Sequence, residues 1–258
     1  MRLKLKYIDS HCHIDFFSNE EIEEISKEVC TIYGASISFE SSLRVLEISK
    51  KFENIKASLG IHPEYFEYYH EFKKIKNLII ENRNSIYAIG EVGLPYFSLL
   101  NKNHTEKTKL YEKGLALLEN FIILAKELDL PLVLHATQST AIDAYDLLKK
   151  YEIKKALFHW LHCDLETSKK IFESGYFASV SLDIQYNSEY LEFVKHIPIK
   201  NLLIESDSPW KYDDNNSRPK DIEKTSKVIS KLLGYNEIEF LEILSKNIDN
   251  FNKITVLS

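Results

Sequence analysis

Short apolar runs recur along this chain, and between them lie stretches whose apolar residues return at helical spacing. The runs Leu5 to Asp9, Val29 to Ala35, Ile55 to Leu59, Ile86 to Ile89, Leu130 to Leu134, Lys155 to Phe158, Phe177 to Ser181 and Asn201 to Ile204 have strand length and predict eight strands. Helices are predicted at Glu20 to Glu28, where Ile22, Ile25 and Val29 fall on one face, and at Leu43 to Phe52, Phe72 to Asn82, Thr105 to Leu128, Ala141 to Lys150, Leu165 to Glu173 and Ser188 to Lys195. Everything after the eighth strand reads as helical. Strands alternating with helices eight times over is the (β/α)8 count, so the expected fold class is α/β, a TIM barrel. No linker rich in Gly, Ser or Pro breaks the series, which makes residues 1–258 one expected domain.

Composition narrows the picture. At 258 residues and 44% hydrophobic, the chain suits one barrel with a large core. No apolar span reaches the length of a membrane helix. The segment Met1 to Lys6 alternates charged and apolar residues, unlike a secretion signal. Cys12, Cys30 and Cys163 are odd in number and lack metal-site spacing, so reduced thiols and a cytoplasmic location are expected. The formal charge of −6 argues against a protein that coats nucleic acid, since that affinity comes from Lys and Arg. It leaves nuclease chemistry open, because metals can hold a few phosphates without a basic surface.

The ends of the apolar runs carry the polar chemistry: His11-Cys12-His13, Gly60-Ile61-His62-Pro63, Gly90-Glu91-Val92-Gly93, His135, His159, and Glu205-Ser206-Asp207-Ser208-Pro209. In a barrel, strand C-termini form the active face. His11 and His13 are two apart, so on a strand both face the interior, where two imidazoles suit Zn²⁺ or Mn²⁺. Alone, such a pair is more often structural. Glu91, His135, His159 and Asp207 at other strand ends would each need a partner if buried, and two metals shared among them would satisfy all. Glu91 reads either as a carboxylate bridging two ions or as a surface residue in a turn. Asp207 reads as a metal ligand and general base, or as a helix N-cap.

In this order the motifs HxH, GxHP, GEVGL, LxxHA, the Phe158-His159 pair and ESDSPW resemble the TatD family of metal-dependent hydrolases, within the amidohydrolase superfamily. The resemblance runs from Ile8 to about Phe251. It implies two divalent ions, Zn²⁺, Mn²⁺ or Mg²⁺: one among His11, His13, Glu91 and Asp207, the other among Glu91, His135 and His159. It further implies a DNase acting on single-stranded DNA from the 3′ end, with His62 contacting substrate phosphate and Glu205 serving as a supporting or substrate group. Arg218 matches a phosphate-contact region only loosely. Departures cluster in the loops: Pro95 stands where the family has Asp, Ala136-Thr137 follow the strand-five histidine, and Trp160-Leu161-His162-Cys163 follow the strand-six one. These keep ester or amide hydrolysis open, as with aminoacyl-tRNA. The His159-Trp160 pair also resembles a divergent branch associated with bacterial defence clusters (Qat-type), which implies defence-system protein partners and even a subunit with weakened catalysis.

Overall fold

The computed structural model describes residues 6–212 and 214–252. Eight parallel strands follow one another in chain order: β1 Ile8–Cys12, β2 Thr31–Ala35, β3 Ile55–Leu59, β4 Ile86–Gly93, β5 Leu132–His135, β6 Ala156–His159, β7 Phe177–Val180 and β8 Leu202–Ile204. The ring is bridged between β8 and β1 by Ser10 Oγ, which donates to the Ile204 carbonyl at 2.8 Å, and by the Asp207 N–H, which donates to the His11 carbonyl at 3.0 Å. Helices α1 Asn19–Glu28, α2 Phe39–Lys51, α3 Phe72–Glu81, α4 His104–Leu128, α5 Thr140–Lys150, α6 Leu165–Glu173 and α7 Ser188–Val194 link successive strands, and α8 Ile222–Leu233 and α9 Glu237–Asn252 follow β8. The (β/α)8 expectation for a single domain therefore holds. No helix of the described residues is long and apolar enough to cross a membrane.

Several boundaries differ from the pattern-based expectation. The first strand starts at Ile8 rather than Leu5, which lies outside the described residues with the rest of 1–5 and 253–258, and it runs on to include His11. The fourth continues from Ile89 to Gly93 and so takes in Glu91. Polar residues ended both predicted runs, yet inside a barrel mouth they face one another and the ladder continues past them. The fifth starts at Leu132 instead of Leu130, because Pro131 has no N–H to offer a ladder. After β8 the chain first makes a short antiparallel hairpin, β9 Lys211–Tyr212 with β10 Asn215–Asn216, where only helix was expected.

Two apolar cores flank the strands. The larger lies between barrel and helices; α1 enters it through a capping box, in which the Ser18 side chain accepts from the Glu21 N–H while Glu21 accepts from the Ser18 N–H. The smaller fills the barrel interior with Tyr33, Ala88, Val133, Leu157, Phe177 and Leu203, plugged by Ile248 and Phe251 of α9. This inner layer positions the site. Side chains alternate along a strand, so the residues two beyond Val133, Leu157 and Leu203 point inward again, and these are His135, His159 and Glu205.

Candidate metal centre

Neighbouring strands bring the polar ends into register. His135 pairs with His159 across β5 and β6, and Gly93 pairs with His135 across β4 and β5. Gly93 allows that approach: a Cβ there would lie 1.9 Å from the His135 carbonyl oxygen. Gly60 does the same beside the Glu91 carbonyl, 2.5 Å from where its Cβ would stand. These glycines let β4 carry Glu91 into the centre of the mouth.

Glu91 is fully buried, and its two oxygens face different groups. Oε2 lies 3.2 Å from His11 Nε2 and 3.3 Å from His13 Nε2, and Asp207 Oδ1 stands 3.5 Å from each of those nitrogens. Oε1 lies 2.7 Å from His159 Nε2, 3.0 Å from His135 Nδ1 and 3.2 Å from His62 Nε2. Despite these short distances, His11 Nε2, both Glu91 oxygens and Asp207 Oδ1 are buried without a hydrogen bond. The atoms converge on shared points rather than pairing, and leaving them so would be costly in an apolar surround. Imidazole nitrogens and carboxylate oxygens in this mixture suit divalent transition ions, and ions at those points would satisfy every one of them. The residues therefore fit a metal.

The far side of each imidazole indicates which nitrogen is free. His13 Nδ1 lies 3.2 Å from the Ala35 carbonyl and donates its proton there, so Nε2, facing Glu91, is the nitrogen an ion would take. His135 Nε2 stands 3.2 Å from Glu64 Oε1, which turns Nδ1 toward Glu91 and, at 3.2 Å, His159 Nε2. His159 turns Nδ1 toward Glu205 Oε1 at 3.7 Å, and its Nε2 faces Glu91. His62 is the opposite case. Its Nδ1 accepts the Glu64 N–H at 3.2 Å, so Nε2 holds the proton and offers a donor rather than a lone pair.

Electrostatics follow from burying few charges close together. Burial raises the Glu91 carboxyl, but the charges of His159, His62 and His11 outweigh it and hold the group well below the usual range. Burial lowers His13, yet Glu91 and Asp207 hold it up to about 9; against the same burial, Glu64 and Glu91 raise His135, and Glu91 and Glu205 raise His159. At His62 burial outweighs the pull of Glu91 and, with His135, His13 and His159 opposing a further charge, pushes the imidazole down to about 3. Asp207 is raised, burial outweighing the pull of His159, His11 and His13. In the metal-free protein the carboxylates thus keep protons on His13, His135 and His159, which a divalent ion would displace.

The cluster opens into a cavity of about 720 Å³ lined by residues from most of the strand ends, including Glu64, Thr137, Gln138, His162 and Asp183. The expected set His11, His13, Glu91, His135, His159 and Asp207 is gathered here, with His62 beside it. Two expected substrate groups are not. Glu205 is fully buried behind His159, with Oε1 3.7 Å from its Nδ1, and accepts from Ser179 Oγ at 2.5 Å, so it does not face the cavity. Arg218 opens the turn into α8, where its N–H donates to Asp221 at 2.8 Å; its guanidinium lies 3.6 Å from Glu21 and 6.0 Å from the centre of the Phe17 ring. It turns to the outer surface because that acidic partner lies on α1. Cys12 points away from its histidine neighbours, with Sγ 3.2 Å from Ser208 Oγ. Trp160 stands edge-on to Trp210 at 5.5 Å between ring centres, so its packing is accounted for within the chain.

Sequence reasoning passed over Glu64. Besides facing His135, it accepts the backbone N–H groups of Tyr96, Phe97 and Ser98 at 2.7, 3.0 and 2.8 Å, joining the loops after β3 and β4. Burial would raise its carboxyl, but His135 and these N–H groups hold it at about 2. The available signal was position alone, two residues past His62.

Comparison with known proteins agrees with this geometry. The family model for TatD related DNase matches residues 8–253. An uncharacterized metal-dependent hydrolase of Haemophilus influenzae is 35% identical over 209 residues, 80% of this chain and 82% of its own length. Another, from Methanocaldococcus jannaschii, is 30% identical over 96% of this chain and 98% of its own, and human deoxyribonuclease TATDN3 is 25% identical over 93% and 92%. Among solved structures, the TatD homolog YJJV of Escherichia coli superposes with a TM-score of 0.85 at 24% identity, covering 96% of this chain and 98% of that one. The chain belongs to the TatD family of metal-dependent hydrolases.

Proposed function

We propose that this TatD-family chain is a deoxyribonuclease that hydrolyses phosphodiester bonds at two divalent ions, Zn²⁺, Mn²⁺ or Mg²⁺, trimming single strands from the 3′ end. One observation carries the reading: the two oxygens of Glu91 face separate histidine groups, His11 and His13 on one side and His135 and His159 on the other. A carboxylate so divided suits a bridge between neighbouring cations. Ions held there would lower the pKa of a water and stabilise charge on the attacking and leaving oxygens. Asp207 would take the proton from that water, and burial, which raises its carboxyl, favours such a base. His62, neutral and with Nε2–H free to donate, would bind a non-bridging phosphate oxygen. Glu64, Glu205 and the Ala35 carbonyl would hold His135, His159 and His13 in the ligating tautomer. DNA as substrate draws on the human relative's name, and the 3′ direction on the motif resemblance. The three unpaired thiols suit a cytoplasmic setting.

The test is release of nucleotides from end-labelled single-stranded DNA with Mn²⁺ or Mg²⁺. Chelator should abolish it, and Asp207→Asn should lower the turnover about 10²- to 10⁴-fold. Release of label from the 5′ end first would reverse the direction. Hydrolysis of carboxylic esters or aminoacyl-tRNA with no cleavage of DNA would replace the phosphodiester reading altogether.

A further inference from the structure

Five Phe, Tyr and Trp side chains are exposed among the described residues, and four of them, Phe16, Tyr65, Phe97 and Trp210, line the one cavity over the metal cluster. Their exposures are 56, 41, 54 and 54%. The fifth, Tyr186, stacks on Tyr212 within the protein. Each of the four belongs to a different loop, and each stands next to a group at the centre. Phe16 is 6.0 Å from His13, Tyr65 is 5.1 Å from His62, and Phe97 is 6.1 Å from His135 between ring centres. Trp210 lies 5.5 Å from Trp160, the residue after His159. Large apolar rings left in water around one opening mark a surface that meets a partner.

The chemistry of that partner follows from what the cavity lacks. Among the described residues no Lys or Arg lines it, whereas Glu64, Asp183 and Asp207 do. A strand entering this mouth finds no cation beyond the metal cluster to neutralise its flanking phosphates, so its bases are the remaining handle. Unpaired bases present flat π faces that stack on aromatic rings, and paired bases inside a duplex do not.

Resting on the phosphodiester reading above, we propose that Phe16, Tyr65, Phe97 and Trp210 form a stacking rim that binds unpaired bases flanking the scissile phosphate, and so select single-stranded ends.

Binding can be read without turnover. The Asp207→Asn protein, loaded with Mn²⁺, is titrated against a fluorescein-labelled thymidine octamer and against an octamer of the same length built of abasic residues, with anisotropy as the signal. Both strands carry the same phosphates, so their affinity ratio isolates the bases. The base-bearing strand should bind more tightly. Adding Phe97→Ala or Trp210→Ala should weaken it roughly 5- to 150-fold and bring the ratio toward one. Phe97→Leu, which keeps apolar bulk without a π face, should also lower the ratio, and Ile238→Ala on α9 should leave it as it was. A ratio of one before any substitution, or one that neither alanine moves, overturns the rim. Hydrolysis by the unsubstituted protein is measured separately. Base-selective binding without cleavage would remove the proposed reaction and keep the rim, while cleavage with an unmoved ratio would do the reverse.

Discussion

Replacing Glu64 by Gln tests whether a residue outside the expected ligand set controls half of the centre. Glu64 Oε1 stands 3.2 Å from His135 Nε2, and the carboxylate accepts three backbone N–H groups at 2.7 to 3.0 Å. Those three bonds fix the carboxylate, and the carboxylate fixes the imidazole with Nδ1 toward Glu91. Gln is nearly isosteric but neutral, and its NH₂ group cannot accept from either the loop or the imidazole. Losing an outer carboxylate of this kind weakens metal binding about 10- to 100-fold, equivalent to about 1.4 to 2.7 kcal/mol. The loss should fall on one ion only, because His11, His13 and Asp207 make no contact with Glu64. Calorimetric titration of Mn²⁺ or Zn²⁺ into chelator-stripped protein should therefore show one site unchanged and one weakened by that factor. At a free metal concentration that just fills both sites, elemental analysis should fall from about two ions per chain toward one. If both sites keep their affinity in Glu64→Gln, the carboxylate does not position His135. If both weaken equally, the two groups around Glu91 are not separate sites.

Other expectations follow from particular contacts. Gly93→Ala puts a methyl 1.9 Å from a backbone oxygen that cannot move without parting β4 from β5, so it should destabilise the fold by about 3 kcal/mol or more; an unchanged urea midpoint would show that the strands yield. Phe251→Ala empties the barrel floor and should cost about 3 to 5 kcal/mol in urea unfolding, while metal content at 25 °C stays the same. Metal affinity should rise with pH. Glu91 and Asp207 hold a proton on His13 up to about 9 in the metal-free protein, so below that pH an ion bound between His11 and His13 must displace it, and affinity at that position should drop about tenfold per unit. Competition titrations with a chelator between pH 6 and 9 read that slope directly, and a flat profile would mean that His13 binds no ion.

The sequence by itself determined the barrel and the inventory of its centre. Apolar runs of strand length alternating with helical spacing leave few other ways to bury 44% hydrophobic residues, and polar groups ending those runs must meet where the strands end. The spacing of His11 and His13 set both on the inner face of one strand. Contacts between loops were another matter. That Glu64 braces His135, that Glu205 hides behind His159, and that Arg218 turns away to Glu21 depend on where separate loops meet in space. A run of residues carries no record of the direction a loop takes after its strand. Strand boundaries moved for the same reason: β1 and β4 continue through His11 and Glu91 because polar groups on neighbouring strands face them. Tertiary structure alone decided which nitrogen of each imidazole is free, since that is set by whatever lies behind the ring: a carbonyl at His13, a carboxylate at His135 and His159, and a donating N–H at His62.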